Sequence, residues 1–128
     1  MKHIIFIAIG GGLGAVLRYI ISKNIHTYFN QILPFGTLFV NASGSFLIGF
    51  LFYFFENLIV SNDVKSFFTI GFLGAYTTFS TYSFETINLI KDGEIKLGLI
   101  NLCLNNLLSL FMVITGMLVS RFLFKIIR

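Results

Sequence analysis

The residue types best suited to handling a small ion are gathered in Thr77-Thr78-Phe79-Ser80-Thr81-Tyr82-Ser83, a hydroxyl-rich run inside an otherwise apolar segment, with Glu85 just beyond it. Hydroxyls both donate and accept hydrogen bonds, and threonines, serines and nearby glycines favour backbone that departs from a helix. Non-helical backbone at membrane depth survives only when buried in protein or lining a wet cavity, where its loose carbonyls can bind a cation. The competing reading is an unbroken helix whose hydroxyls bond back to preceding carbonyls. Phe79 and Tyr82, three residues apart, add ring edges of partial positive charge past which an anion could move.

Two further polar stripes accompany this run. Thr37, Asn41, Gly44 and Ser45 recur every three or four residues and share one helical face, and Asn101, Asn105 and Ser109 repeat at i, i+4 and i+8. An amide facing acyl chains is costly, so these faces meet either another helix or water. Arg18 and Glu85 are the charges placed within or at the edge of an apolar run; they either pair with each other or, for Arg18, snorkel to the interface. No carboxylate pair, catalytic triad or metal-ligand cluster accompanies them, and Cys103 has no partner for a disulfide, so no enzyme is expected.

The elements that must hold these residues are set by composition. Charged residues are 11% of the 128 and hydrophobic ones 56%, against roughly 25% charged in ordinary soluble domains. Lipid must therefore solvate most of the surface. Four apolar runs, about 4–21, 35–60, 66–90 and 95–124, each approach the roughly 20 residues that a bilayer core requires, giving a single all-α domain over 1–128 with short connections. Arg18 and the glycine-rich middle of the first run argue against a cleaved signal peptide. The basic residues are scattered at segment ends, which fits interfacial anchors and not a nucleic-acid stripe. Lys2, Lys65, Arg121, Lys125 and Arg128 fall on one side and Arg18, Lys23, Lys91 and Lys96 on the other, a near-balance that lets copies insert both ways up. Gly10-Gly11-Gly12-Leu13-Gly14-Ala15 formally matches a dinucleotide fingerprint, but a membrane span surrounds it and no acidic residue follows at the required distance. Gly10 and Gly14 read instead as a small face for a closely approaching helix.

Three stretches, GGGLGAVLRY (Gly10 to Tyr19), GTLFVNASGSFLIGF (Gly36 to Phe50) and GFLGAYTTFSTYSFE (Gly71 to Glu85), together resemble the CrcB/Fluc fluoride ion channels, and the likeness in length and span count extends over essentially the whole chain. The resemblance implies a four-span subunit with a broken third helix, paired with an inverted second copy in a dual-topology homodimer. Such a dimer has two antiparallel pores that passively export cytoplasmic fluoride across the cell's plasma or inner membrane. It further implies a structural sodium ion at the dimer interface, held by backbone carbonyls that map to Gly74 and Thr77. The anion path maps to Asn41, Phe79 and Tyr82, with Thr37 in the vestibule, Thr81, Arg18 and Glu85 at polar positions near the pore, and Asn105 and Ser109 on the fourth span. Tyr82 departs from the family pattern, which usually has phenylalanine there. The rival is a proton-coupled exporter resembling the small multidrug-resistance proteins, which wants a membrane-embedded carboxylate and finds only Glu85. A weaker third reading is a non-transporting accessory subunit.

Overall fold

The computed structural model describes residues 2–127, so Arg128, counted in the charge balance above, lies outside them. The fold is all-helical: α1 (Lys2–Phe29), α2 (Phe35–Asn57), α3 (Asn62–Ser66), a π-helical segment (Phe67–Leu73), α4 (Gly74–Tyr76), α5 (Phe79–Lys91) and α6 (Ile95–Ile127). Three of these, α1, α2 and α6, are long and apolar enough to cross a membrane. The third apolar run, 66–90, expected to be interrupted, is built in pieces. Its helical geometry lapses at Thr77 and Thr78, whose backbones are extended (φ −84°, ψ 157° and φ −150°, ψ 120°), and resumes at Phe79. The departure from helix is thus two residues long, while Ser80 to Ser83 are helical.

Other boundaries also differ from the apolar runs. The segment 22–34, expected as a connection, is helical through Phe29, and the turn comes only at Asn30, which adopts φ 43°, followed by Pro34 ahead of α2. Loss of hydropathy at Ser22 marks where lipid gives way to water, whereas backbone hydrogen bonding continues until a residue that tolerates positive φ ends it. At 28 residues α1 is about 42 Å long, more than a hydrocarbon core of roughly 30 Å needs.

Packing explains why so apolar a chain places polar residues inside. Leu107, Leu110, Phe111 and Ile114 on α6 are exposed, as are Ile4, Ile9, Leu13 and Val16 on α1, while Thr37, Asn41, Thr78, Thr86, Asn101, Asn105 and Ser120 are buried. Surrounding acyl chains satisfy the former, and only other protein groups can satisfy the latter. Helices close enough to bond these side chains need small contact residues. A Cβ on Gly14 would overlap the Phe72 carbonyl oxygen and one on Gly71 would lie 2.6 Å from the Ile7 carbonyl, so α1 and the π-helical segment touch backbone to backbone. Gly49 and Gly116 do the same for α2 and α6, against Val113 and Phe46. The glycine face expected at Gly10 and Gly14 is therefore a helix-packing face. On either side of Thr77 and Thr78 the chain changes partners, with the π-helical segment and α4 lying on α1 and α5 lying on α6.

Candidate functional site

Leaving the helix at Thr77 and Thr78 exposes peptide groups that a dry interior cannot leave unbonded. In a continuous helix the Thr78 N–H would bond to the Gly74 carbonyl; here it donates to Asn41 Oδ1 at 2.8 Å. The same amide returns a bond, Asn41 Nδ2 donating to the Thr78 carbonyl at 3.0 Å, so one side chain of α2 satisfies both polar groups of the Thr78 residue. Thr78 also caps α5: its hydroxyl accepts from the Thr81 N–H at 3.2 Å and donates to Thr81 Oγ1 at 2.9 Å.

Because a peptide N–H can only donate, it fixes the orientation of every amide linked to it. Asn41 must turn its oxygen to Thr78, which sends its second Nδ2 hydrogen to Asn105 Oδ1 at 2.8 Å. Asn105 then donates from Nδ2 to Asn101 Oδ1 at 2.9 Å, and Asn101 donates to Thr86 Oγ1 at 2.9 Å, which donates to the Tyr82 carbonyl at 2.7 Å. The result is a one-directional amide chain joining α2, α5 and α6, whose bonds reinforce one another in a low-dielectric setting. The stripes on α2 and α6 thus meet each other, and both Nδ2 hydrogens of Asn41 are committed to protein acceptors.

Two cavities of about 410 Å³ each flank this arrangement. The first is a groove bordered by Asn41, Gly74, Thr77, Phe79, Tyr82, Asn105 and Ser109. The second, bordered by Arg18, Thr37, Thr81 and Glu85, also carries Lys23 and His26. Thr78 borders both, which makes the Asn41–Thr78 pair the wall between them. The residues mapped to the anion path and its polar surroundings, together with Gly74 and Thr77, therefore fall in two adjoining cavities, while Asn101, Ser80 and Ser83 border neither. Arg18 and Glu85 share the second without forming an ion pair. Arg18 Nη1 reaches the Thr77 carbonyl at 3.4 Å, and Glu85 Oε1 accepts from Thr37 Oγ1 at 2.7 Å while Oε2 is buried without a partner. In the groove the Phe79 and Tyr82 rings meet edge to face, centroids 4.8 Å apart at 82°, with Phe79 73% exposed and Tyr82 6%.

Comparison with known proteins gives this geometry its context. A family model described as CrcB-like protein, Camphor Resistance (CrcB), matches residues 5–117. The chain belongs to the CrcB family. Among similar curated proteins, the Fluoride-specific ion channel FluC of Magnetococcus marinus is 42% identical over 93% of this chain and 98% of its own length. Proteins of the same name from Shewanella loihica and Clostridium novyi are 46% and 45% identical, covering 91% and 94% of this chain and 94% of each relative. As a CrcB member with several apolar helices the chain is a multi-pass membrane protein and not an enzyme.

Thr78 and Asn106 belong to the groove of this CrcB chain, Thr78 in a role its hydroxyl did not indicate and Asn106 without having been singled out. Thr78 matters through its backbone, which looks like any other threonine's in sequence. Asn106 donates to the Tyr82 hydroxyl at 3.2 Å, and it lies one residue past the i, i+4 stripe that drew attention to Asn105. A register of four on α6 finds residues on one face and passes over a neighbour at its edge.

Proposed function

We propose that this protein is a channel that lets fluoride leave the cell passively across its plasma or inner membrane. The observation carrying the proposal is that its polar residues, in a protein with a lipid-compatible exterior, border two cavities meeting at the Asn41–Thr78 pair. Close relatives bearing the name of a fluoride-specific channel support the choice of ion. In this reading α3 through α5 together make a fourth crossing. Two oppositely inserted copies form an antiparallel dimer, each bringing one pore, and the near-even split of Lys and Arg favours both insertions.

Fluoride is small and strongly hydrated, so a path for it must offer donors in place of water yet hold the ion weakly enough to release it. Arg18, Lys23 and His26 give the second cavity a basic mouth that attracts anions. The N-terminal end of α5, directed at the wall between the cavities, adds a partial positive charge. Beyond the wall, hydroxyls and the edges of Phe79 and Tyr82 continue the path. Because both Asn41 hydrogens are already bonded, passage requires the Asn41–Asn105 or Asn41–Thr78 bond to yield to the ion. An inside-negative potential drives anion exit by roughly 2.3 kcal/mol per 100 mV, so no coupled fuel is needed.

The backbone chemistry fits a monovalent cation at the dimer axis. Thr78 has diverted its N–H to Asn41, which leaves the exposed Gly74 carbonyl without its helical donor. The Thr77 carbonyl, outside any helix, takes a long bond from Arg18 and keeps a second lone pair. Two such neutral oxygens from each copy would suit sodium, which there would tie the two chains together. Replacing sodium by a large organic cation on both sides of the membrane is expected to weaken fluoride release; unchanged release would remove the ion from this picture.

The deciding experiment is fluoride release from liposomes holding purified protein, with an ionophore setting the potential. Wild type is expected to release fluoride without a proton gradient. Glu85→Gln, which retains an oxygen for Thr37, is expected to stay within several-fold of it. Release that requires a proton gradient and vanishes in Glu85→Gln would instead favour the proton-coupled exporter.

A further inference from the structure

We infer that the Tyr82 hydroxyl is an anion-contacting donor in the groove, and that Asn106 is the positioning residue that holds and polarises it. The inference rests on the channel reading and names a contact that a phenylalanine at position 82 would not provide. Asn106 has two amide hydrogens, and both are spent: one goes to the Leu102 carbonyl at 2.8 Å, anchoring the amide to its own helix, and one to the Tyr82 oxygen at 3.2 Å. The phenol oxygen therefore acts as acceptor toward Asn106, which leaves its own proton to be donated elsewhere. Tyr82 and Asn106 both border the groove, and the Tyr82 ring is buried and fixed edge to face against Phe79, so the hydroxyl has little freedom to turn away.

An O–H whose oxygen already accepts an N–H is a stronger donor than an isolated one. Toward a small anion its bond is charge-assisted and correspondingly short and strong. An ion passing the exposed Phe79 edge would meet this proton next, with the ring holding it in place. Asn106 itself does not touch the ion; it acts through the phenol.

The test is a double-mutant cycle on fluoride release from liposomes, read as both maximal rate and half-saturating fluoride concentration, with the dimer checked by elution volume. Tyr82→Phe is expected to raise the half-saturating concentration about tenfold, the scale of one hydrogen bond to a charged group. Asn106→Leu is expected to shift it in the same direction by a smaller factor, and to add nothing in the Tyr82→Phe background. Wild-type behaviour in Tyr82→Phe, or an equal Asn106→Leu effect in both backgrounds, would overturn the inference while leaving the channel reading intact. A wild-type protein that releases no fluoride would overturn both. Should Tyr82→Phe fail to give a dimer, Asn106→Leu alone, at an exposed position, must still raise the half-saturating concentration or the inference falls.

Discussion

Asn41→Ala is expected to stop fluoride release and to lower stability by roughly 3–9 kcal/mol. The side chain satisfies three buried groups at once: the Thr78 N–H, the Thr78 carbonyl and Asn105 Oδ1. Each left unbonded costs about 1–3 kcal/mol, the lower end applying where water from the groove can replace the lost partner. Asn41→Asp separates the donors from the acceptor. It keeps an oxygen for the Thr78 N–H but sets negative charge against the Thr78 carbonyl and the Asn105 oxygen, so it is expected to be at least as damaging. Phe79→Ile is the contrast. Its ring is 73% exposed and supports little of the fold, so release is expected to slow while the unfolding midpoint in detergent stays near wild type. Thermal unfolding of the three variants beside their release rates checks this. An Asn41→Ala protein as stable as wild type would show that the amide chain does not hold the Thr77–Thr78 segment.

Gly49→Leu is expected to be the most destructive single change away from the cavities, leaving little folded dimer. A Cβ at Gly49 would overlap the Val113 carbonyl oxygen, and Gly116 makes the reciprocal contact with Phe46 one turn further along. Both obstacles are backbone, which cannot rotate aside, so α2 and α6 must separate. Separation would also pull Asn41 away from Asn105, and the groove would lose its floor. Overpacking typically costs 1–3 kcal/mol where side chains can adjust, and this site exceeds that range because they cannot. Gly12→Ala is the matched control: nothing lies within 4 Å of a Cβ there, and alanine is the better helix former. It is expected to be neutral or mildly stabilising. Equal yields of folded protein from Gly49→Leu and Gly12→Ala would refute close packing of α2 on α6.

These two expectations differ in how much of them can be read before the fold is known. Gly10 and Gly14 stand out as a spaced pair, and their packing role follows from spacing alone. Gly49 and Gly116 lie on different helices 67 residues apart, so only the crossing of α2 and α6 reveals them as one contact. The helix ends show the same division. Hydropathy located the apolar runs because it measures the preference for lipid over water. It placed the end of α1 eight residues early, because peptide hydrogen bonding carries the helix past the apolar run to Phe29.

The amino-acid sequence by itself determined that this is an all-helical membrane protein of the CrcB family, with its chemistry near Thr77 to Glu85 and on the stripes of α2 and α6. The family follows from the three matching motifs; residue type and periodicity suffice for the rest, since lipid tolerates few polar groups and those present must be used. Tertiary structure alone decided that Asn41 bonds the Thr78 peptide, that Asn105 and Asn101 extend this into one directed chain, and that Asn106 holds the Tyr82 hydroxyl. It also decided that Arg18 reaches the Thr77 carbonyl while Glu85 takes Thr37. The physical reason is that a backbone amide carries no side-chain signature. Where its hydrogen bond goes depends on which helix lies within 3 Å of it, and that is fixed only when the glycine contacts have brought the helices together.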